Sequence, residues 1–182
     1  MNKNPMNYIV IIVIIIIAVI AYFSFKKEDT DKKLTREQQI EQQVEDLLNE
    51  VDTSDKALEK LVKKADALAE EKNYKDAIKI YKKVIKLKPE AAAIYAKMGL
   101  IYFNQEEFDK SIKMYKKSLE LSPDNNCSIY NLGTVYARIN NNEEAIKYYN
   151  KSLQLTPGAA NALSSRGLAY MALEQYDKAE QD

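Results

Sequence analysis

Histidine, the commonest general base and metal ligand of enzymes, is absent from this chain of 182 residues. Cys127 is its single cysteine, so there is neither a Cys–His pair to make a nucleophile nor a thiol cluster to hold zinc. The four glycines form no loop that could cradle phosphate. The carboxylate pairs Glu106–Glu107 and Glu143–Glu144 fall in turns or at helix starts, where helix N-terminal amides favour negative charge. We therefore expect no enzyme, no cofactor and no metal. Recognition is left, and it needs side chains displayed in register.

The register comes from three prolines. Pro89, Pro123 and Pro157 are each 34 residues apart, and the segments between them carry apolar residues at helical spacing. A fixed period of that length marks stacked helix pairs, because one pair cannot bury its own apolar face. Aligned on the prolines, the first helices are Leu58–Glu71, Ala92–Gln105, Asn126–Ile139 and Ala160–Leu173. Each has a small residue near its middle: Ala65, Gly99, Gly133 and Gly167. Glycine inside a helix costs roughly 1 kcal/mol relative to alanine, so its recurrence predicts a neighbour packed on bare backbone. Leu68, Tyr102, Tyr136 and Tyr170 follow one turn later on the same face. After a polar turn, the second helices carry Ala77, Ser111, Ala145 and Ala179, then Tyr81, Tyr115 and Tyr149. Leu87, Leu121 and Leu155 lie near their ends, and proline stops each helix by lacking a donor and clashing with the preceding turn.

The stretches AKMGLIYFNQEEFDKSIKMYKKSLELSP and YNLGTVYARINNNEEAIKYYNKSLQLTP resemble the tetratricopeptide repeat family. The resemblance runs from Leu58 to the C-terminus. It implies an all-α, right-handed solenoid of three full repeats (58–91, 92–125 and 126–159) and a partial fourth (160–182). The first unit departs from the pattern, with Lys64 where Met98 and Leu132 follow and Ala65 in place of glycine; such polarity suits a terminal capping repeat. Asn142 replaces the aromatic Tyr74, Phe108 and Tyr176 of the other turns. The fourth unit stops at Asp182, about six residues into its second helix, and a single turn is not self-supporting, so Asp177–Asp182 is expected to fray unless something covers it. A truncated chain is the simpler account of that ending.

In the family, first helices line the concave face. The resemblance therefore implies a groove of Lys97, Leu100, Phe103 and Asn104, then Tyr130, Asn131, Thr134 and Arg138, then Ser165 and Leu168. That mixture suits an extended peptide or a partner helix. Family members that grip a C-terminal carboxylate use lysines, arginine and asparagines; here Val62, Asp66 and Cys127 stand at three of those places, and only Asn131 fits. The asparagine ladder of sugar-transferase relatives fails too, with Lys63, Lys97 and Ser165 beside Asn131. Nucleic acid is not an expected partner, because the domain is not strongly basic and its tyrosines fall at repeat core positions.

Ahead of the repeats, after a short tail (1–7), Tyr8–Phe25 is an uncharged apolar run. At 1.5 Å per residue it reaches about 27 Å, close to the roughly 30 Å hydrocarbon core, and predicts a transmembrane helix rather than a cleaved signal. Lys26, Lys27, Lys32, Lys33 and Arg36 follow it, which places the repeats in the cytoplasm by the positive-inside rule; interspersed acids keep an extracytoplasmic orientation open. Residues 26–57 read as a charged helical stalk. Thr35 and Gln38 bracket a capping box, and Ile40, Val44, Leu47 and Val51 form a short apolar seam for packing on the first repeat or for self-association. Lys75, Lys79, Lys82 and Lys86 form one stripe, either a solvated face or a contact with anionic headgroups. Together these features describe a single-pass membrane adaptor that binds a protein or peptide in its groove. A self-assembling scaffold (a homo-oligomer through stalk and open last repeat) is the second reading, and a translocon- or import-receptor-like subunit the third.

Overall fold

The computed structural model describes Gln38, Gln39, Gln42 and residues 55–182. The tail, the expected span 8–25 and almost all of the expected stalk lie outside the described residues. Among the described residues, no helix is long and apolar enough to cross a membrane.

Residues 55–182 fold into helices joined by tight turns. These are α1 (Asp55–Glu70), α2 (Tyr74–Leu87), α3 (Ala92–Asn104), α4 (Phe108–Leu121), α5 (Asn126–Arg138), α6 (Asn142–Leu155), α7 (Ala160–Ala172) and α8 (Tyr176–Ala179). They form four hairpins, each a first and a second helix. Helix α1 opens three residues before the boundary expected at Leu58, with Asp55 placing negative charge in its first turn. Asn73, Asn125 and Asn141 cap α2, α5 and α6 by accepting a backbone N–H three residues on.

The turn inside each hairpin is the same Schellman closure, repeated with the period of the sequence. Lys72, Glu106, Asn140 and Glu174 adopt the left-handed conformation, with φ of 61°, 59°, 60° and 58°. The next N–H reaches back to the first helix, as in Asn73 to the Leu68 carbonyl (2.8 Å) and Glu107 to the Tyr102 carbonyl (2.9 Å). Glycine usually fills this place, and the chain uses none there.

Packing explains the recurrent glycines. A Cβ on Gly99 would lie 2.9 Å from the Tyr115 ring, and one on Gly133 would lie 2.9 Å from the Tyr149 ring. Each bare backbone is thus the seat of its own hairpin's tyrosine. Ser111, fully buried, donates to the Gly99 carbonyl at 2.8 Å, which closes the same contact from the second helix. Tyr115 then packs with Leu132 and Val135 of the following hairpin, and Tyr149 with Ala145, Ile146 and Ala169. Each tyrosine therefore joins two successive units. Buried Ser118 and Ser128 add a 2.9 Å hydrogen bond between α4 and α5. First helices also touch one another, α3 with α5 and α5 with α7, so they share one side of the stack.

These tyrosines make the fold sensitive to alkali. Burial pushes the phenols of Tyr81, Tyr115 and Tyr149 up from their ordinary value. The unfolded chain releases those protons near pH 10, whereas the folded chain keeps them. Above about pH 10 the unfolded state therefore binds fewer protons, and stability falls as pH rises. Thermal melts taken upward from pH 9 should show a falling midpoint, and Tyr115→Phe should flatten the slope. An unchanged slope in Tyr115→Phe would remove that residue from the effect.

At the end of the described chain, residues 176–182 pack against α7. After the single turn of α8, the chain folds back and Asp182 pairs with Arg166 of α7. Arg166 also donates to Asn150 Oδ1 at 2.6 Å, tying α6 to the same cluster.

Candidate functional site

The shared side of the first helices holds an open pocket of about 440 Å³ between α1 and α3. Asp66, Ala69 and Glu70 of α1 form one wall, and Lys97, Leu100, Ile101 and Asn104 of α3 form the other. Lys72, Tyr74 and Tyr81 complete it. The spacing is a helical one: Lys97, Leu100, Ile101 and Asn104 stand at i, i+3, i+4 and i+7 and so share one face.

Its polar centre is Asp66. Lys97 Nζ lies 2.9 Å from Asp66 Oδ1, and the Tyr81 hydroxyl donates to the same oxygen. Burial, and then the Asp66 carboxylate itself, hold the Tyr81 phenol well above its ordinary value, so it stays a donor. The ion pair is only partly shielded, with side-chain exposures of 42% for Lys97 and 33% for Asp66. Both charges remain within reach of a ligand. Leu100 supplies the apolar wall and is 47% exposed.

Known proteins agree with this architecture. A tetratricopeptide repeat model matches residues 90–158, and a second TPR repeat model matches residues 65–106. Residues 65–158 belong to the tetratricopeptide repeat family. Such repeats are protein-interaction domains. A crystal structure of MamA is 28% identical with a TM-score of 0.65, covering 68% of this chain and 72% of that one. MamA 41-end from Desulfovibrio magneticus RS-1 is 20% identical at a TM-score of 0.63, covering 68% and 70%. The first TPR of Spaghetti (RPAP3), bound to the HSP90 peptide SRMEEVD, is 20% identical at a TM-score of 0.62, covering 64% of this chain and 93% of that one. At 20% identity the last two show the fold alone. No curated protein matches the sequence.

Within the tetratricopeptide array, the expected groove residues divide into two groups. Lys97, Leu100 and Asn104 meet in the α1–α3 pocket. Phe103 instead turns toward the Tyr115 cluster and meets Phe108 edge-on at 6.0 Å. Tyr130 tilts against Tyr149 at 5.7 Å, and its hydroxyl lies 3.2 Å from Ser165 Oγ. Asn131 lies beside the Tyr115 hydroxyl, and Thr134 donates to the Tyr130 carbonyl. Arg138 reaches Glu106 only at 3.8 Å, while Leu168 is 64% exposed. On α2, Lys75, Lys82 and Lys86 are exposed and Lys79 is half-buried; none of the four lines the pocket.

Sequence reasoning missed Asp66, Ala69 and Tyr81 as pocket residues. A signal existed for Asp66. It lies in the register of Leu100, and an acid one helix over from Lys97 at that register is a candidate ion pair across the stack.

Proposed function

We propose that the chain is a membrane-tethered adaptor that docks an extended segment of a partner protein against its first helices, chiefly in the α1–α3 pocket. The observation that carries this reading is the pocket itself. An exposed leucine, an accessible ion pair and the free amide of Asn104 lie together on the side shared by successive first helices. One apolar anchor beside groups that can pair with backbone amides is how extended peptides are held. The peptide in the Spaghetti (RPAP3) structure shows that this fold can hold one.

The apolar run 8–25 supplies the tether in this reading, and residues 26–57 the spacer. The lysines that follow the run put the array on the cytoplasmic side. Tethering raises the partner's effective concentration at the bilayer, so a modest pocket affinity suffices. Assembly, secretion or quality control at a membrane are roles of that kind. Self-assembly is the second reading, favoured by the exposed Leu168, Met171 and Tyr176 of the last hairpin.

The test is selection of displayed random heptapeptides against the full chain. Selected peptides should lose affinity by at least about tenfold, roughly 1.4 kcal/mol, in Leu100→Asp and Asn104→Asp. Lys82→Glu, on the exposed lysine stripe, should leave them unchanged. Equal loss in all three, or in none, would remove the pocket from the function. Alkaline carbonate extraction of membranes checks the tether: a chain released to the supernatant has none.

A further inference from the structure

We propose that the Asp66–Lys97 ion pair sets the charge preference of the pocket, so that it selects an uncharged segment of the partner and rejects acidic tails. The inference rests on the docking reading above and adds the chemistry of the docked segment.

Four charged side chains line the pocket, and they cancel: Asp66 and Glu70 against Lys72 and Lys97. The cancellation is closest at the centre. Lys97 Nζ sits 2.9 Å from Asp66 Oδ1, which also accepts from Tyr81. A ligand carboxylate accepting from another N–H of Lys97 stays within roughly 5 Å of Asp66, since the donors of an ammonium diverge tetrahedrally. Repulsion from Asp66 then offsets more than half of the attraction to Lys97. The remainder works against the cost of desolvating the ligand's charge beside Leu100, Ile101 and Ala69. The same cancellation works against a ligand lysine approaching Asp66.

An uncharged segment meets no such cost. Lys97 keeps N–H donors beyond the one given to Asp66, and Asp66 Oδ2 takes part in neither of the bonds at Oδ1. Asn104 offers both a donor and an acceptor at the far end of the same wall. Donors and acceptors so arranged pair with the carbonyls and amides of an extended backbone, while Leu100 takes an apolar side chain. Removing either member of the pair should convert the pocket. Asp66→Asn leaves Lys97 uncompensated and still gives Tyr81 an acceptor; Lys97→Gln leaves Asp66 uncompensated.

The experiment repeats the heptapeptide selection on the full chain, as wild type, Asp66→Asn and Lys97→Gln, and reads the net charge of the recovered peptides. Wild type should return peptides near zero net charge. Asp66→Asn should enrich acidic peptides about two- to fivefold and Lys97→Gln basic ones by a similar factor, with thermal melts verifying that both variants fold. The same charge distribution from all three proteins overturns the inference and leaves docking standing, provided recovery still falls in Leu100→Asp. Recovery that ignores Leu100→Asp overturns the docking reading, and this inference with it.

Discussion

Tyr115→Ala is expected to destabilise the repeat array by about 3–5 kcal/mol, the range found when a large buried ring is deleted. The ring is almost fully buried and touches two hairpins at once: the backbone of Gly99 in its own, and Leu132 and Val135 in the next. Stability in a repeat array is a sum of unit and interface contributions, and this residue belongs to both. Gly99→Ala attacks the same contact from the other side. Its new Cβ would lie 2.9 Å from Tyr115 Cε1 and 3.0 Å from Cδ1, with the ring pinned by the following hairpin. About 1–3 kcal/mol is expected from such overpacking. The double variant is the decisive one. With the ring gone, the alanine methyl loses its nearest clashing atoms, so the two losses should fall short of adding by at least about 1 kcal/mol. Strict additivity in urea unfolding would mean that Gly99 serves something other than Tyr115.

Much of this fold could be read because its sequence repeats its own physics. Prolines 34 residues apart mark where second helices end, and the glycines mark where a tyrosine must seat. The hairpin turns were less legible. Left-handed residues announce themselves when they are glycine, and here the position is filled by Lys72, Glu106, Asn140 and Glu174. Those turns are held by the Schellman bonds around them rather than by local preference. The groove was half legible for a different reason. A helical repeat fixes which side a residue faces, but not whether a long side chain stays there. Phe103 and Tyr130 stand on the first helices and still spend their rings on neighbouring tyrosine clusters, because burying an aromatic ring gains more than displaying it. Lys97 has no apolar destination, so its charge stays at the surface and finds Asp66.

Arg166→Ala is expected to release residues 176–182 from α7, raising amide exchange there by about tenfold or more while α5 and α6 stay protected. Arg166 stands in the register of Met98 and Leu132, which are buried in their own units. A charge at a core register must bring its own partner, and Asp182 is that partner. Its carboxylate takes both arms of the guanidinium fork, one at 2.7 Å, and its side chain is only 3% exposed. Tyr170, with its ring centroid 5.9 Å from the guanidinium and 5.5 Å from Lys178 Nζ, backs the cluster without replacing the fork. Four helical residues cannot hold α8 in place by their own hydrogen bonds, so docking depends on this pair. Two further substitutions separate charge from bulk. Arg166→Leu restores the residue type of Leu132 but leaves the buried Asp182 carboxylate unpaired, so it should release the segment as fully as alanine does. Arg166→Lys keeps the charge and loses the fork, so its exchange should fall between wild type and alanine. If leucine holds the segment as well as arginine does, apolar packing fixes the last hairpin and the ion pair only decorates it.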